Sequence, residues 1–215
     1  TLQLPMHLHH QAVYGDCGID FLAGPSEVMI IADKTADYKF VAIDILAQLE
    51  HDGDSKAFLI STSEKLIENV KNEIRNQMKD LSTKNIINQS VKTLKLIFIK
   101  KMEDAAEIAN RIAPEHLELQ IKNPERLPDK LRNYGSLFIG GHSAVAFGDY
   151  CSGTNHVLPT KGGAKYTSGL SVKDFLKLQT YQKISKKGSE KMAPIALKLS
   201  QIEGLDAHNK SIQIR

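Results

Sequence analysis

Glu115 and His116 stand next to each other, and a carboxylate beside an imidazole supplies two groups able to exchange protons near neutral pH. They lie in the stretch Ala113-Pro114-Glu115-His116-Leu117-Glu118-Leu119. Taken alone, the pair reads as an exposed polar turn. Other residues widen the chemistry. Gln48 and His51 are three apart, which sets both on one side of a helix end, and an amide oxygen with an imidazole at that spacing is half of a metal site. Asp149 and His156 add an oxygen and a nitrogen, and Glu203 with His208 adds another such pair. Each pair by itself also fits an ordinary polar surface. His7, His9 and His10 form a His-rich tract, read here as surface sequence.

These residues need elements to hold them. Glu27 to Ala32 (EVMIIA), after the turn at Pro25-Ser26, is a compact apolar run typical of a buried parallel strand. Asp37 caps a helix with Phe40, Val41, Ile45, Leu46 and Leu49 on one face, and Gly53 ends that segment. A strand at Ala57 to Ile60 follows, then a helix from Ser63 and a strand at Leu94 to Ile99. A helix with Ala105, Ile108, Ala109 and Ile112 in phase runs to Pro114, because the residue before a proline is pushed out of the helical region. Beyond it Leu117 and Leu119 alternate with Glu118 as in a strand. Asn123-Pro124 opens one more helix, closed by Gly135, before a strand at Ser136 to Ile139.

Strands alternating with helices predict an α/β fold with a mainly parallel sheet. Ligands of such open sheets gather at the carboxyl ends of the strands, and the polar clusters are expected there. No G-x-G-x-x-G and no P-loop occurs. Residues 140–171 are rich in Gly, Ser, Thr and His and read as an ordered, functional loop. From Val172 the chain turns helical again, with breaks at Gly188 and Gly204, and the apolar face of this tail needs a partner surface.

Composition narrows the function classes. With 215 residues, 41% hydrophobic and 25% charged, the chain can bury a sizeable core. A formal charge of +3, with no basic stripe interleaved with aromatics, argues against a nucleic-acid partner. No apolar run approaches the roughly 20 residues needed to span a bilayer, so no membrane partner is expected. No signal peptide is visible. Cys17 and Cys151 have no zinc-knuckle or disulfide spacing, which fits a reducing compartment. The chain begins with Thr1, as an incomplete or processed polypeptide would.

Six stretches taken together resemble histidinol dehydrogenase: GPSEV (24–28), AQLEH (47–51), APEHLEL (113–119), GDYCSGTNHVLPT (148–160), TSGLSVKDFL (167–176) and EGLDAH (203–208). They occur in that family's order and spacing, from about Ile19 onward, and match the C-terminal half of its usual chain. The resemblance implies a zinc- and NAD-dependent enzyme that oxidises L-histidinol through L-histidinal to L-histidine, the last steps of histidine biosynthesis. Gln48, His51, Asp149 and His208 correspond to zinc ligands, and Glu115 and His116 to the acid–base pair. Ser26, Gln48, His51, His116, Asp149, His156, Glu203 and His208 fall at substrate-contacting positions. The cofactors implied are Zn²⁺ and NAD, with the NAD contacts in the half of the family chain that is missing here.

The same resemblance implies an incomplete Rossmann-like sheet with a helical C-terminal tail. Residues 1–26 would be the edge of a truncated dinucleotide-binding domain, 27–170 a Rossmann-like catalytic domain, and 171–215 a tail exchanged in a homodimer. The tail's Glu203 and His208 would then complete the neighbour's site. The expected location is the cytoplasm, or the plastid in a plant. Two other readings stand beside this one. One is a non-catalytic, zinc-binding, dimer-forming remnant; the other is a relative that oxidises a different amino alcohol.

Overall fold

In a computed structural model, the described residues are 18, 19 and 24–215. The His-rich tract, Cys17 and nearly all of the expected dinucleotide-domain edge lie outside them. The chain divides into two compact units, one reaching to Phe175 and the other Leu176–Arg215.

The first unit is built on five parallel strands: β1 (Glu27–Ala32), β2 (Lys56–Ser61), β3 (Lys95–Phe98), β4 (His116–Gln120) and β5 (Ser136–Ile139). Their order is β3-β2-β1-β4-β5. The sheet grows outward from β1 in one direction and then, from β4, in the other, as in a mononucleotide-binding α/β half. The expected α/β class with a parallel sheet is what the chain adopts.

Helices close both faces of the sheet. α1 (Tyr38–Leu49) starts where the Asp37 carboxylate accepts the Lys39 N–H, and α2 (Glu64–Gln77) where Ser63 accepts the Leu66 N–H. Each cap satisfies an orphan donor of a first turn. With α3 (Lys84–Ser90) they bury Val28, Ile30, Ala57 and Leu59 on one face. α4 (Glu103–Ile112) covers Met29, Ile31, Leu117 and Leu119 on the other. Ala113 ends α4 in the left-handed region at φ 55°, and Pro114 then directs the chain into β4. Each fully buried aliphatic side chain of these clusters contributes about 1.5–3 kcal/mol.

Several local expectations need correction. Residues 123–135 hold no α-helix but two 3₁₀ turns, Pro124–Arg126 and Pro128–Lys130. The second proline restarts the turn and removes a donor that a continuing helix would use. α3 was not foreseen. The glycine-rich stretch is not structureless: it contains α5 (Val145–Tyr150), which carries Asp149. In the tail, α6 (Lys186–Ile202) runs through Gly188 rather than breaking there, since Ser185 accepts the Gly188 N–H and starts the helix earlier. α7 (Asp206–Gln213) follows the turn at Gly204 and packs on α6 within that unit. Among the described residues no helix is long and apolar enough to cross a membrane.

Candidate active site

The site forms at the amino ends of β1 and β4, not at the carboxyl ends as the general rule for open sheets suggested. Val28 pairs with His116, so the residues just before β1 meet the start of β4. α1 leaves the carboxyl end of β1 and returns to the amino end of β2, which brings Gln48 and His51 to that same edge. A helix antiparallel to its strands delivers its last turn there by geometry alone.

Glu115 occupies the turn before β4. Its Oε2 accepts the Ser26 hydroxyl at 2.6 Å and the Glu27 N–H at 2.9 Å. Burial raises its pKa to about 7 against the lowering effect of those two hydrogen bonds. Charges on Glu27 and Asp149 push it the same way as burial. Such a carboxyl exchanges its proton at neutral pH.

His116 is 4% exposed. Its Nδ1 lies 3.1 Å from the Glu27 carbonyl oxygen, which can only accept, so Nδ1 carries the proton. Nε2 is then a lone-pair acceptor, buried and without a hydrogen-bond partner. Burial lowers the His116 pKa to about 4, which keeps the ring neutral at physiological pH. The ring leans on Phe138 with centroids 6.1 Å apart.

Gln48, His51 and Asp149 line one cleft of about 100 Å³, together with Asp44, Glu50 and Tyr150. The cleft adjoins the acid–base pair: the Asp149 charge raises the pKa of both Glu115 and His116, and His51 lowers that of His116. The donors fit a borderline divalent cation, with one amide, one imidazole and one carboxylate. Gln48 is 3% exposed and its Nε2 has no hydrogen-bond partner. With no partner to fix which way the amide points, its oxygen is free to face the cleft. Among the described residues no three His, Cys, Asp or Glu side chains cluster as a metal site; the candidate donors in this cleft are His51 and Asp149, plus the Gln48 amide.

His156 is not among the residues that line this cleft. It is exposed, in the extended segment where Asn155 accepts the Val157 N–H at 2.8 Å. Glu203 caps the end of α6 and His208 lies in α7; both belong to the second unit and are exposed.

Sequence reasoning missed Glu27, whose carbonyl orients His116 and whose Oε1 accepts the Lys161 N–H at 2.6 Å. It also missed Asp44, Glu118 and Gln120. Asp44 was within reach of a helical-spacing argument, since it precedes Gln48 by one turn. Glu118 was not, because alternation with leucines reads as an outward, solvated position, whereas it is 2% exposed.

Comparison with known proteins adds an independent line. The family model described as histidinol dehydrogenase matches residues 7–215. A histidinol dehydrogenase of Methanocaldococcus jannaschii is 46% identical over 203 residues, covering 94% of this chain and 47% of the relative. One from Listeria monocytogenes is 43% identical over 204 residues, covering 94% and 48%. The crystal structure of histidinol dehydrogenase from Elizabethkingia anophelis superposes with a TM-score of 0.81 at 41% identity, covering 91% of this chain and 45% of that one. The chain thus spans about half the length of the relatives it matches.

Proposed function

The chain belongs to the histidinol dehydrogenase family, and on that premise we propose that its Glu115–His116 site serves the oxidation of L-histidinol, through L-histidinal, to L-histidine. The observation that carries this reading is the state of His116: Nδ1 is tied to the Glu27 carbonyl, and Nε2 is a dry, unpartnered acceptor. A neutral imidazole so placed takes the hydroxyl proton as an alcohol becomes an aldehyde.

The second oxidation needs a hydrated aldehyde. Glu115, with its pKa near 7, takes a proton from the attacking water, and Ser26 and the Glu27 N–H hold the resulting carboxyl in place. Gln48, His51 and Asp149 would hold Zn²⁺, with His208 of a second copy as fourth ligand if the tail is exchanged in a homodimer. His156 and Glu203 would contact substrate. When bound, the zinc would anchor the substrate's imidazole and amine, and NAD would accept one hydride in each oxidation. Burial keeps solvent from His116 Nε2, and the Glu27 carbonyl fixes the orientation of the ring.

Titrating L-histidinol into the chain with and without Zn²⁺ tests the reading, followed by NADH absorbance after NAD is added. Zinc-dependent binding with NADH formation is expected. Zinc-dependent binding without NADH would mark the chain as a non-catalytic remnant of the enzyme. Absence of any zinc-dependent binding overturns the proposal.

A further inference from the structure

We propose that Glu118 is a positioning residue whose carboxyl ties α1, β4 and α5 together, so that Gln48, Asp149 and His116 keep their places around one cleft. The inference rests on the reading of that cleft as the metal and substrate site.

Glu118 follows His116 by two residues in β4, so both side chains project from the same face of the sheet. That face is covered by α1. The Gln120 amide donates from Nε2 to Glu118 Oε2 at 3.0 Å and to Asp44 Oδ2 at 3.1 Å. The Glu118 and Asp44 carboxyls, bridged by that amide, lie close enough to interact directly, and Val145 packs against the α1 side and lines the same cleft as Asp44, its backbone N–H near Glu118. Two carboxyls in that contact share a proton rather than both ionising, and burial favours the neutral form of each.

The links fall at telling positions. Asp44 lies one helical turn before Gln48 in α1, and Val145 one turn before Asp149 in α5. Each therefore acts a single turn away from a proposed ligand, and the third link runs along β4 to the acid–base pair. Stability gives no reason for this arrangement. Glu118 Oε1 and Gln120 Oε1 are buried without partners, and a buried polar atom left unpaired carries a desolvation cost. Outer-shell groups that fix ligand orientation have this character: costly in isolation and repaid in the geometry of the site.

The experiment compares the parent chain with Glu118→Leu, Glu118→Gln and Asp44→Ala. Zn²⁺ affinity is measured by competition with a chromogenic chelator, the visible spectrum of the Co²⁺-loaded chain is recorded, and thermal unfolding is followed in parallel. Glu118→Leu is expected to lose zinc affinity by roughly 10–100-fold and to shift the Co²⁺ bands, while still unfolding cooperatively as a folded chain. Glu118→Gln, which keeps a donor toward Asp44 and an acceptor toward Val145, should restore most of the affinity. A folded Glu118→Leu chain with parental affinity and spectrum overturns the proposal. If Glu118→Leu does not fold, Asp44→Ala breaks the same link from a half-buried position, and parental zinc affinity in that variant overturns it equally.

A parent chain that binds no zinc would instead sink the reading of the cleft. The link is then read in the metal-free chain by amide exchange. Asp44→Ala should speed exchange in Val145–Tyr150 and leave β1 and β2 protected; unchanged exchange in that helix overturns the proposal.

Discussion

The His116 ring is held by a backbone atom of the neighbouring strand: its Nδ1 donates to the Glu27 carbonyl oxygen at 3.1 Å. The bond crosses from β4 to the residue at which β1 begins, so the sheet itself selects the tautomer. Glu115, with Oε2 3.6 Å from that same nitrogen, is left to its own partners, Ser26 Oγ and the Glu27 N–H. Two adjacent residues thus have separate hydrogen-bond partners.

Replacing His116 by Asn removes the Nε2 acceptor. Oxidation of the alcohol should fall by roughly 10²–10⁴-fold, the usual worth of a positioned acid or base, while zinc content stays at the parental level. Zinc lost together with activity would reassign His116 to the metal.

Glu115 has its pKa raised to about 7 and His116 lowered to about 4. Turnover of histidinal should therefore climb as pH passes about 7, where Glu115 becomes a carboxylate, whereas proton removal by His116 should be insensitive to pH over that interval. The stability signs follow by linkage. A raised carboxyl binds its proton more tightly in the folded state, so stability is lost as pH rises from about 4.5 to 7. A Glu115→Gln chain should gain on the parent across that window in urea-denaturation midpoints and lose histidinal turnover more than histidinol turnover. Equal losses for both substrates would sink the division of roles.

Gly135 lies against the same turn. Its N–H donates to the Pro114 carbonyl at 3.0 Å, and a Cβ there would come within 2.5 Å of the Glu115 carbonyl oxygen. Gly135→Ala should push β5 away from the start of β4, costing about 1–3 kcal/mol as overpacking does, and displace Glu115. The check is a lowered thermal midpoint together with a shifted pH dependence of histidinal turnover; a parental midpoint would show that the strand end yields freely.

The composite zinc site proposed across two copies predicts complementation. His51→Ala and His208→Ala chains should each bind zinc weakly, because each lacks one of four ligands. In verified heterodimers both lesions fall in one composite site and the other is whole, so half of the tight sites should return. Heterodimers with no tight zinc would show that His208 does not act across the interface.

Much of the fold was legible because it is written in local chemistry. Asp37 and Ser63 announce their helices as caps, the EVMIIA run declares a strand buried on both faces, and Pro114 after an amphipathic helix forces the chain out at Ala113. The Glu115–His116 pair was visible as chemistry, and the six stretches as a family signature. The 3₁₀ turns at 124–130 were misread because Pro at a first helical position suits a long helix and a single turn alike.

Where the site sits, and what state its groups hold, came from the tertiary structure. Alternation in Leu117-Glu118-Leu119 fixes which residues share a face, but only the packing of α1 over that face makes Glu118 a buried carboxyl. The pairing of Val28 with His116 decides that the groups meet at the amino end of the sheet. Proton affinities follow from burial and from partners distant in sequence, such as Ser26 to Glu115 across 89 positions. Residue types set what chemistry is available; desolvation and strand register, which no local pattern encodes, set which of it the folded chain can use.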